Sequence, residues 1–374
     1  MKLFVFLLLF VSLNVFGQSG KEGEYNSLEV ALLVPENVKS LDLSDKGLKV
    51  LPIQLEQFSN LTKIDIGSNP DLDLVQAFGV LSKLKNLKNL WLTDSKISDL
   101  PVQIKLLKRL EELWLNDNMF SEVPNSIKKL GNLKYVSFFS NNIKTLSLEK
   151  GDFPILNQIN LCYNKFQFFP TQLSILPQLK RIVIWGDSMT VVPNNIKHLK
   201  NIEEINMELN HITSFPKGMS KLKRLKKLTV WNNNLTEEGI MPLYKLKRLE
   251  VLDIRQNNIS YILPKIKKLT YLSNLTLSSN PLSKLPAELS QLKALRQLGL
   301  GELSAMDWVS AFSIMGTLPN LRRVGMYSMK LSRMPVGFDK LKQVEVFWMN
   351  YNSFDKNERA RIKTLLPKAD IDFN

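Results

Sequence analysis

The sequence predicts an α/β solenoid in which every coil adds one strand to a parallel sheet. Two observations support this prediction: a repeat of constant length, and an apolar pattern that has the period of a strand. The 23 residues from Leu110 to Asn132 form one unit of the repeat. A fixed period in this range is typical of stacked coils that share one continuous core. The inward-facing Leu113 of this unit returns at the same step as Val136, Ile159, Ile182, Ile205 and Leu228.

Each unit begins with alternating apolar residues, as in Leu113 and Leu115 on either side of Trp114. A period of two indicates a strand whose apolar side chains face the core and whose intervening side chains face outward. The strands form a parallel sheet on the concave face, with short helices or irregular turns on the convex face. About fourteen units are predicted over residues 38–354, starting at Val38, Leu61, Leu87, Leu110, Leu133, Leu156, Leu179, Ile202, Leu225, Leu249, Leu272, Leu295, Leu321 and Val344.

Asparagine and proline recur at fixed places in the unit. Asn118 stands at the ninth place, where the chain leaves the sheet, and its amide can satisfy buried backbone donors and acceptors. Pro124 follows where the chain turns onto the convex face, and its fixed φ stiffens that turn. We therefore expect these residues to have structural roles. The equivalent asparagines are Asn69, Asn141, Asn164, Asn210, Asn233, Asn257, Asn280 and Asn352.

This unit resembles the typical leucine-rich repeat, whose second half reads Leu-Pro-x-x-Ile and is matched here by Val123, Pro124 and Ile127. The resemblance covers nearly all of the chain after its first residues and implies a horseshoe-shaped solenoid. It implies no particular ligand, because the same frame carries unrelated binding tasks. Animal extracellular members usually have end caps stapled by cysteines. This chain has a single cysteine, Cys162, so it is more similar to bacterial exported members.

Two coils are longer than the others, with steps of 26 residues from Ile64 to Leu90 and from Leu298 to Val324. Their extra segments, residues 73–87 and 307–321, align with each other without gaps. Both segments space apolar residues at three, which predicts an amphipathic helix on the convex face. These apolar residues are Val75, Phe78 and Leu81 in one coil and Val309, Phe312 and Met315 in the other; Trp308 is expected to pack rather than to bind.

Residues 1–17 have the layout of a cleavable secretory signal, with Lys2 before an apolar run and small residues before a cut near Gly17. An uncleaved anchor is the alternative, but the run is shorter than the roughly 17 residues needed to span a bilayer. The sequence thus predicts export to the periplasm, the cell surface or the medium, with no transmembrane segment after cleavage. Residues 18–37 are expected to form a capping helix begun by Asn26 and Glu29. Residues 355–374 are expected to form a second cap, with a helix begun by Asp355 and a last strand at 371–373.

The chain has a formal charge of +15, and its lysines and arginines form clusters such as 221–227 and 245–248. These clusters are explained by a basic surface that is exposed to solvent. The alternative is that this surface contacts an anionic cell envelope or lipid surface. Nucleic acid is not expected as a partner, because the basic residues and the aromatics occupy different faces. The two histidines, His198 and His211, cannot build a metal or acid–base centre with one cysteine. We therefore expect no enzyme activity and no cofactor or metal, and Cys162 is expected as a small contact residue on the concave side.

The tryptophans are the most informative residues for function. Five of the six fall at outward positions of the predicted strands, and Trp91 and Trp114 occupy the same place in adjacent coils. Large aromatics on a solvent-facing surface are enriched among interface hot spots, whereas packing across neighbouring strands is the alternative role. The predicted ligand-binding residues on the concave face are Trp91, Trp114, Tyr135, Phe139, Tyr163, Trp185, Glu208, Trp231 and Arg255.

Three functions remain open from the sequence. The first is an exported, non-enzymatic recognition protein that binds a protein or peptide along the aromatic concave face. The second is a carbohydrate or cell-envelope binding module that stacks sugar rings on the same tryptophans. The third is an intracellular scaffold similar to the Ras-associated leucine-rich family, which would require that residues 1–17 do not direct export.

Overall fold

The computed structural model describes residues 21–373, which divide into two compact units. The first unit contains the described residues up to Lys165 together with Ile175–Leu179, and the second contains Phe166–Ser174 and the residues from Lys180 onward. The predicted secretory signal and its cleavage near Gly17 lie outside the described residues.

The described part of the first unit has seven short strands, paired in parallel and in sequence order. The register places equivalent residues of successive coils side by side, as in Leu90 with Leu113 and Leu113 with Val136. These inward residues are fully buried, so the predicted alternation and parallel sheet are confirmed. The strands are β1 (Glu24–Tyr25), β2 (Ser40–Asp42), β3 (Lys63–Asp65), β4 (Asn89–Trp91), β5 (Glu112–Trp114), β6 (Tyr135–Ser137) and β7 (Gln158–Asn160).

The second unit repeats this arrangement with nine strands in its described part, again parallel and in sequence order. Its register likewise joins inward residues, as in Ile205 with Leu228 and Leu228 with Leu252. The strands are β8 (Arg181–Val183), β9 (Glu204–Asn206), β10 (Lys227–Thr229), β11 (Val251–Asp253), β12 (Asn274–Thr276), β13 (Gln297–Gly299), β14 (Arg323–Gly325), β15 (Val346–Trp348) and β16 (Asp370–Asp372).

Short 3-10 helices form between the strands of most coils, and the sequence predicted short helices in these segments. Each typically follows the repeat proline, as Val102–Leu106 follows Pro101, because proline fixes the φ that the turn needs. The others are Pro35–Asn37, Ile53–Gln57, Thr171–Ile175, Asn194–His198, Lys217–Lys221, Met241–Lys245, Pro264–Lys268, Ala287–Gln291 and Phe338–Lys340.

The two longer coils carry the α-helices that the sequence predicts, α2 (Leu74–Leu81) and α3 (Trp308–Met315). Both helices begin at an aspartate whose carboxylate accepts backbone N–H groups of the first turn. The predicted apolar residues Phe78, Leu81, Phe312 and Met315 are buried. Trp308 is buried as well, which confirms its packing role. The expectation that Val75 and Val309 share this apolar face is wrong, because both are exposed and Ala77 and Ala311 are buried instead.

The N-terminal cap differs from the expectation in two ways. Its helix, α1 (Leu28–Ala31), is capped by Ser27 rather than Asn26, since the Ser27 hydroxyl accepts the amide N–H of Val30. The short strand β1 precedes it and pairs with β2, which the sequence did not predict. The first coil therefore has a paired sheet edge as well as a helix beside it.

The C-terminal cap follows the prediction more closely. Its helix, α4 (Lys356–Leu365), begins at Asp355, whose carboxylate accepts the amide N–H of Glu358 at 2.7 Å. Glu358 does not complete a capping box, because its carboxylate accepts the amide N–H of Met334 and pairs with Arg361. The last strand, β16, is Asp370–Asp372, one residue earlier than predicted.

The repeated asparagines act as internal backbone partners, which confirms their structural role. Asn118 Oδ1 accepts the amide N–H groups of Ser95 and Ile97 in the preceding coil, at 3.1 and 3.0 Å. Its Nδ2 donates to the carbonyls of Leu92 and Asn116. Each asparagine thus satisfies polar groups that would otherwise be buried without a partner. Equivalent bonds are made by Asn69, Asn141, Asn164, Asn210, Asn233, Asn257, Asn280 and Asn352.

Candidate functional site

Two tryptophans form the centre of the outward strand face of the first unit. Trp91 ends β4 and Trp114 ends β5, and the strand register pairs them directly. Their inward neighbours Leu90, Leu92 and Leu113 are buried, so both indoles must project outward. The ring centroids lie 4.0 Å apart with planes only 7° from parallel. The sequence prediction that these rings lie side by side is confirmed.

Three further aromatics extend this surface along the same face. Tyr135 begins β6 and its ring centroid lies 5.3 Å from that of Trp114, tilted by 59°. Phe139 and Tyr163 meet edge to face at 5.2 Å. All of these rings are half-buried except Tyr163, which is 46% exposed. We call Trp91, Trp114, Tyr135, Phe139 and Tyr163 the aromatic group of the first unit.

The stacking decides which parts of the rings a ligand can reach. One face of the Trp114 indole is covered by Trp91, and Tyr135 stands on its other side. Trp114 therefore has an aromatic ring on each side, whereas the stack covers one face of Trp91. Both indoles are half-buried.

Carboxylates lie on the same coils as Trp91 and Trp114 and on the coil before them. Asp65 is the register neighbour of Trp91, and Glu112 accepts a hydrogen bond from Asn89 at 2.7 Å. Asp94 and Asp117 are exposed, with φ of 51° and 53°. Aspartate adopts this left-handed conformation more readily than most residues, so the turn after each strand favours an acidic side chain here. We call Asp65, Asp94, Glu112 and Asp117 the acidic rim.

Asp65 has an altered acidity. Burial raises the pKa of its carboxyl, and the neighbouring charge of Asp42 raises it further. A hydrogen bond from the amide N–H of Gly67 at 2.8 Å opposes this by stabilising the charged form. Burial is the largest effect, so the net direction is upward.

Cys162 does not contribute to this surface. Its side chain is fully buried, which contradicts the expectation of a contact residue on the concave side. Backbone hydrogen bonds place Cys162 one coil beyond Phe139 and next to Tyr163 in the chain. Its outward position in the pattern therefore does not lead to exposure.

The second unit holds the remaining predicted residues. The Arg255 guanidinium lies over the Trp231 ring, 4.9 Å from its centroid, and its Nε lies 3.3 Å from Oδ2 of Asp253. The pKa of the Asp253 carboxyl is raised, and burial is the largest cause. The charge of Arg255 opposes this rise, and the charge of Glu208 adds to it. Trp185, Glu208, Trp231 and Arg255 are all half-buried. Arg255 thus makes a cation–π contact with one face of the Trp231 ring.

The two histidines, His198 and His211, are both exposed. Within residues 21–373, no group of three His, Cys, Asp or Glu side chains is arranged to hold a metal ion. In the same residues, no helix is long and apolar enough to cross a membrane.

Sequence reasoning missed one feature of the second unit. The ring of Tyr327 lies against Gly301, at a place where the sheet carries glycines instead of side chains. Glycine at an outward strand position could have predicted this contact. Glycine weakens a strand, and it often marks a place where another group approaches the backbone closely.

Comparison with known proteins agrees with this architecture. A search of curated proteins finds no match. Among solved structures, a leucine-rich-repeat protein of Leptospira interrogans is 27% identical, covers 94% of this chain and 99% of its own, and superposes with a TM-score of 0.71. An internalin of Listeria monocytogenes is 19% identical, covering 74% of this chain and 87% of its own, with a TM-score of 0.53.

A plant peptide hormone receptor, solved in complex with RGF2, is also 19% identical, covers 88% of this chain and 61% of its own, and has a TM-score of 0.53. The sequence itself matches the family model described as leucine-rich repeat region over residues 125–354, and a leucine-rich repeat model over residues 109–130. The architecture is that of a protein-interaction module. The chain belongs to the leucine-rich repeat family, with an α/β solenoid fold built from parallel strands.

Proposed function

We propose that this chain is a non-enzymatic recognition protein that binds a protein or peptide through the aromatic group of the first unit. The Trp91–Trp114 stack carries the proposal: two large rings are held rigidly at 4.0 Å on an outward face. Rigid aromatics lose little conformational entropy on binding, and Trp and Tyr are enriched among hot spots. The strand register, rather than the ligand, holds them in place.

The orientation of the rings favours a peptide over a sugar at this site. A sugar stacks its C–H groups on an open ring face, and the faces of Trp114 are flanked by Trp91 and Tyr135. Ring edges and the gaps between rings suit apolar side chains instead. The edge-to-face pair of Phe139 and Tyr163 extends this surface by two coils.

The acidic rim gives the partner a charge. Asp94 and Asp117 are exposed and Asp65 adjoins Trp91 in the register, so basic side chains that flank an apolar anchor meet opposite charge. Such a rim contributes to the rate of association and to selectivity more than to affinity. The proposed ligand is therefore a segment with Lys or Arg beside apolar residues.

The predicted contacts in the second unit form a separate group in this proposal. They are Trp185, Glu208, Trp231 and Arg255. Arg255 already lies over Trp231, so this group offers a cation and an indole edge to an acidic or polar segment. Replacing Trp231 by Ala tests it independently of the first unit. A loss of binding to a selected peptide in this variant would support the second group as a contact surface in its own right, and unchanged binding would contradict that role.

Export is part of the same proposal, and residues 1–17 are its only support. Mass spectrometry of the protein recovered from its native host measures the N-terminus directly. A chain that begins near Gln18 is expected. An intact Met1 would contradict export and favour the intracellular scaffold.

Selection from a displayed random peptide library on the immobilised chain tests the ligand class. The intact protein is expected to enrich peptides that combine Lys or Arg with apolar residues, and the Trp114→Ala variant is expected not to retain them. Tyr271→Ala is the matched control, because Tyr271 is 63% exposed and lies outside the strands. Peptides that bind Trp114→Ala as well as the intact protein, or a library without enrichment, would contradict the proposal.

A further inference from the structure

The second unit carries the same basic segment in two successive coils. Residues 221–224 read Lys-Leu-Lys-Arg, and residues 245–248 repeat these four residues. Each segment begins at the last residue of a 3-10 helix, Lys217–Lys221 in one coil and Met241–Lys245 in the next. We call the basic residues of both segments the basic patch; they are Lys221, Lys223, Arg224, Lys245, Lys247 and Arg248.

The strand register places the two segments at the same position in neighbouring coils. Strand β10 pairs with β11 so that residue 227 matches residue 251, and the same offset joins Lys221 to Lys245. A hydrogen bond shows that side chains at this position reach across one coil. The Arg224 guanidinium donates to Asn201 Oδ1 at 3.0 Å, and Asn201 is the equivalent residue of the preceding coil. The cations of the two segments therefore lie side by side.

All six members of the basic patch are exposed. The leucines between them, Leu222 and Leu246, are buried and hold the segments against the core. Lys223 Nζ donates a hydrogen bond to the Ser220 carbonyl at 2.7 Å, which is a local contact at the end of the helix. Within residues 21–373, neither an ion pair nor a hydrogen bond is made by the side chains of Lys221, Lys245, Lys247 and Arg248. Most of this charge therefore faces solvent.

A neighbouring position in the same coils has the opposite charge pattern. The residues just before β9, β10 and β11 are Glu203, Lys226 and Glu250, and Lys226 Nζ lies 2.9 Å from Glu203 Oε2. Signs alternate there, whereas the basic patch places cations beside cations, which repel each other. No carboxylate occurs in the helix-to-strand segments 217–224, 241–248 and 264–271. A surface that serves only solubility needs no such single-sign field, so the patch indicates an anionic partner.

We propose that the basic patch binds the anionic phospholipid headgroups of a membrane surface. Four of its six members are lysines, which act as point charges rather than as the planar forks that grip a single phosphate. Tyr271 occupies the place of Arg248 in the next coil and is 63% exposed. Tyrosine is enriched where protein meets the membrane–water interface, which favours a lipid surface over a soluble polymer. The patch belongs to the second unit and does not depend on the proposed peptide site.

Co-sedimentation with lipid vesicles tests the proposal. The intact chain is expected to bind vesicles of phosphatidylglycerol and phosphatidylcholine more tightly than vesicles of phosphatidylcholine alone, and high salt is expected to release it. The patch variant combines Lys245→Gln, Lys247→Gln and Arg248→Gln. It is expected to bind about a hundredfold more weakly, because each basic residue near an anionic surface strengthens binding about fivefold. Lys247→Glu is expected to weaken binding more than Lys247→Gln, because it adds repulsion.

Three lysines outside the patch provide a matched control. Lys342, Lys356 and Lys368 are exposed and lie in the last coil and the C-terminal cap of the same unit. Replacing all three by Gln removes as much charge as the patch variant does. This control is expected to bind the anionic vesicles within about threefold of the intact chain. The thermal midpoint of each variant monitors folding.

Several results would overturn the proposal. Equal weakening in the patch variant and the lysine control would assign the binding to net charge. Undiminished binding by the patch variant, or no binding of the intact chain to anionic vesicles, would also contradict it. Binding to inorganic polyphosphate in solution without binding to the vesicles would assign the patch to a soluble polymer instead. Trp114→Ala is expected to bind the vesicles like the intact chain, which separates failure here from failure of the peptide site.

Discussion

Trp91 and Trp114 lie face to face on adjacent strands, with ring centroids 4.0 Å apart and planes 7° from parallel. The strand spacing of a parallel sheet is about 4.8 Å, so the rings lean slightly toward each other rather than standing straight out. The stack therefore gives the sheet a cross-strand contact and also holds a rigid aromatic edge for a ligand. These two roles make separate predictions.

The structural role of the stack predicts a measurable coupling. A double-mutant cycle measures it, with the variants Trp91→Ala, Trp114→Ala and the two combined. The coupling free energy is expected to be about 0.5–1.5 kcal/mol, because a well-oriented aromatic pair adds this much stability beyond the contribution of its buried area. Urea denaturation followed by circular dichroism measures it. Strictly additive losses would mean that the two rings do not stabilise each other.

The internal asparagines predict a larger loss of stability. Asn118→Ala leaves the amide N–H groups of Ser95 and Ile97 without their acceptor in a buried turn. Each unsatisfied buried group costs about 1–3 kcal/mol, so the free energy of unfolding is expected to fall by about 2–4 kcal/mol. Asn132→Ala is the control, because Asn132 is exposed and makes one bond to the Lys108 carbonyl. An equal, small effect in both variants would contradict the structural role.

The raised pKa of Asp65 predicts a pH dependence. The pKa of Asp65 is higher in the folded state than in the unfolded state, so the folded state binds the proton more tightly. The free energy of unfolding therefore falls as the pH rises from the unfolded-state pKa to the folded-state pKa. Asp65→Asn removes that loss, so this variant is expected to be more stable than the intact chain at pH 7 and to lose the advantage below the unfolded pKa. Thermal midpoints measured across acidic and neutral pH check the direction.

Glu111 provides a control of opposite sign. Hydrogen bonds from Lys134 and Lys88 lower the pKa of its carboxyl, so its contribution to stability is present above the unfolded pKa and disappears as pH falls through the folded one. Glu111→Gln is therefore expected to be less stable at pH 7, and the difference is expected to disappear in acid. The effect is small because Glu111 is a surface group. Parallel pH profiles for Asp65→Asn and Glu111→Gln would contradict both assignments.

The acidic rim predicts an effect on association kinetics. Replacing Asp94 and Asp117 by Asn removes two exposed charges without touching the rings. The association rate of a selected basic peptide is expected to fall, with little change in its dissociation rate, because rim charges steer encounters. Surface plasmon resonance at low and high salt measures both rates. A changed dissociation rate alone would place these carboxylates in direct contact with the ligand.

Much of the fold could be predicted from the sequence because the repeat imposes one geometry on every coil. Leu113 and its counterparts identify the core, Asn118 and its counterparts identify the turn, and the segment after Asp73 identifies an α-helix. The cap residue Ser27 and the strand β1 lie before the first repeat, where no periodicity guides the prediction. Local capping chemistry decides there, and Ser27 and Asn26 are both good cap residues.

The candidate site was predicted less completely. Register alone placed Trp91 beside Trp114, because outward positions of adjacent coils coincide. The burial of Cys162 was not predicted, because a pattern of inward and outward positions does not say how far each outward side chain is covered. The contact between the Tyr327 ring and Gly301 depends on side-chain direction across coils, and only the glycines mark it in the sequence.

The most direct test of the recognition proposal is the affinity of a selected peptide, measured by calorimetry. The proteins compared are the Trp91→Ala and Trp114→Ala variants, the intact chain and the control Tyr271→Ala. Each tryptophan variant is expected to bind about thirtyfold more weakly, since a hot-spot residue contributes about 2 kcal/mol or more. Tyr271→Ala is expected to match the intact chain. Affinities of both tryptophan variants within about threefold of the intact chain would show that the aromatic group of the first unit is not the binding site.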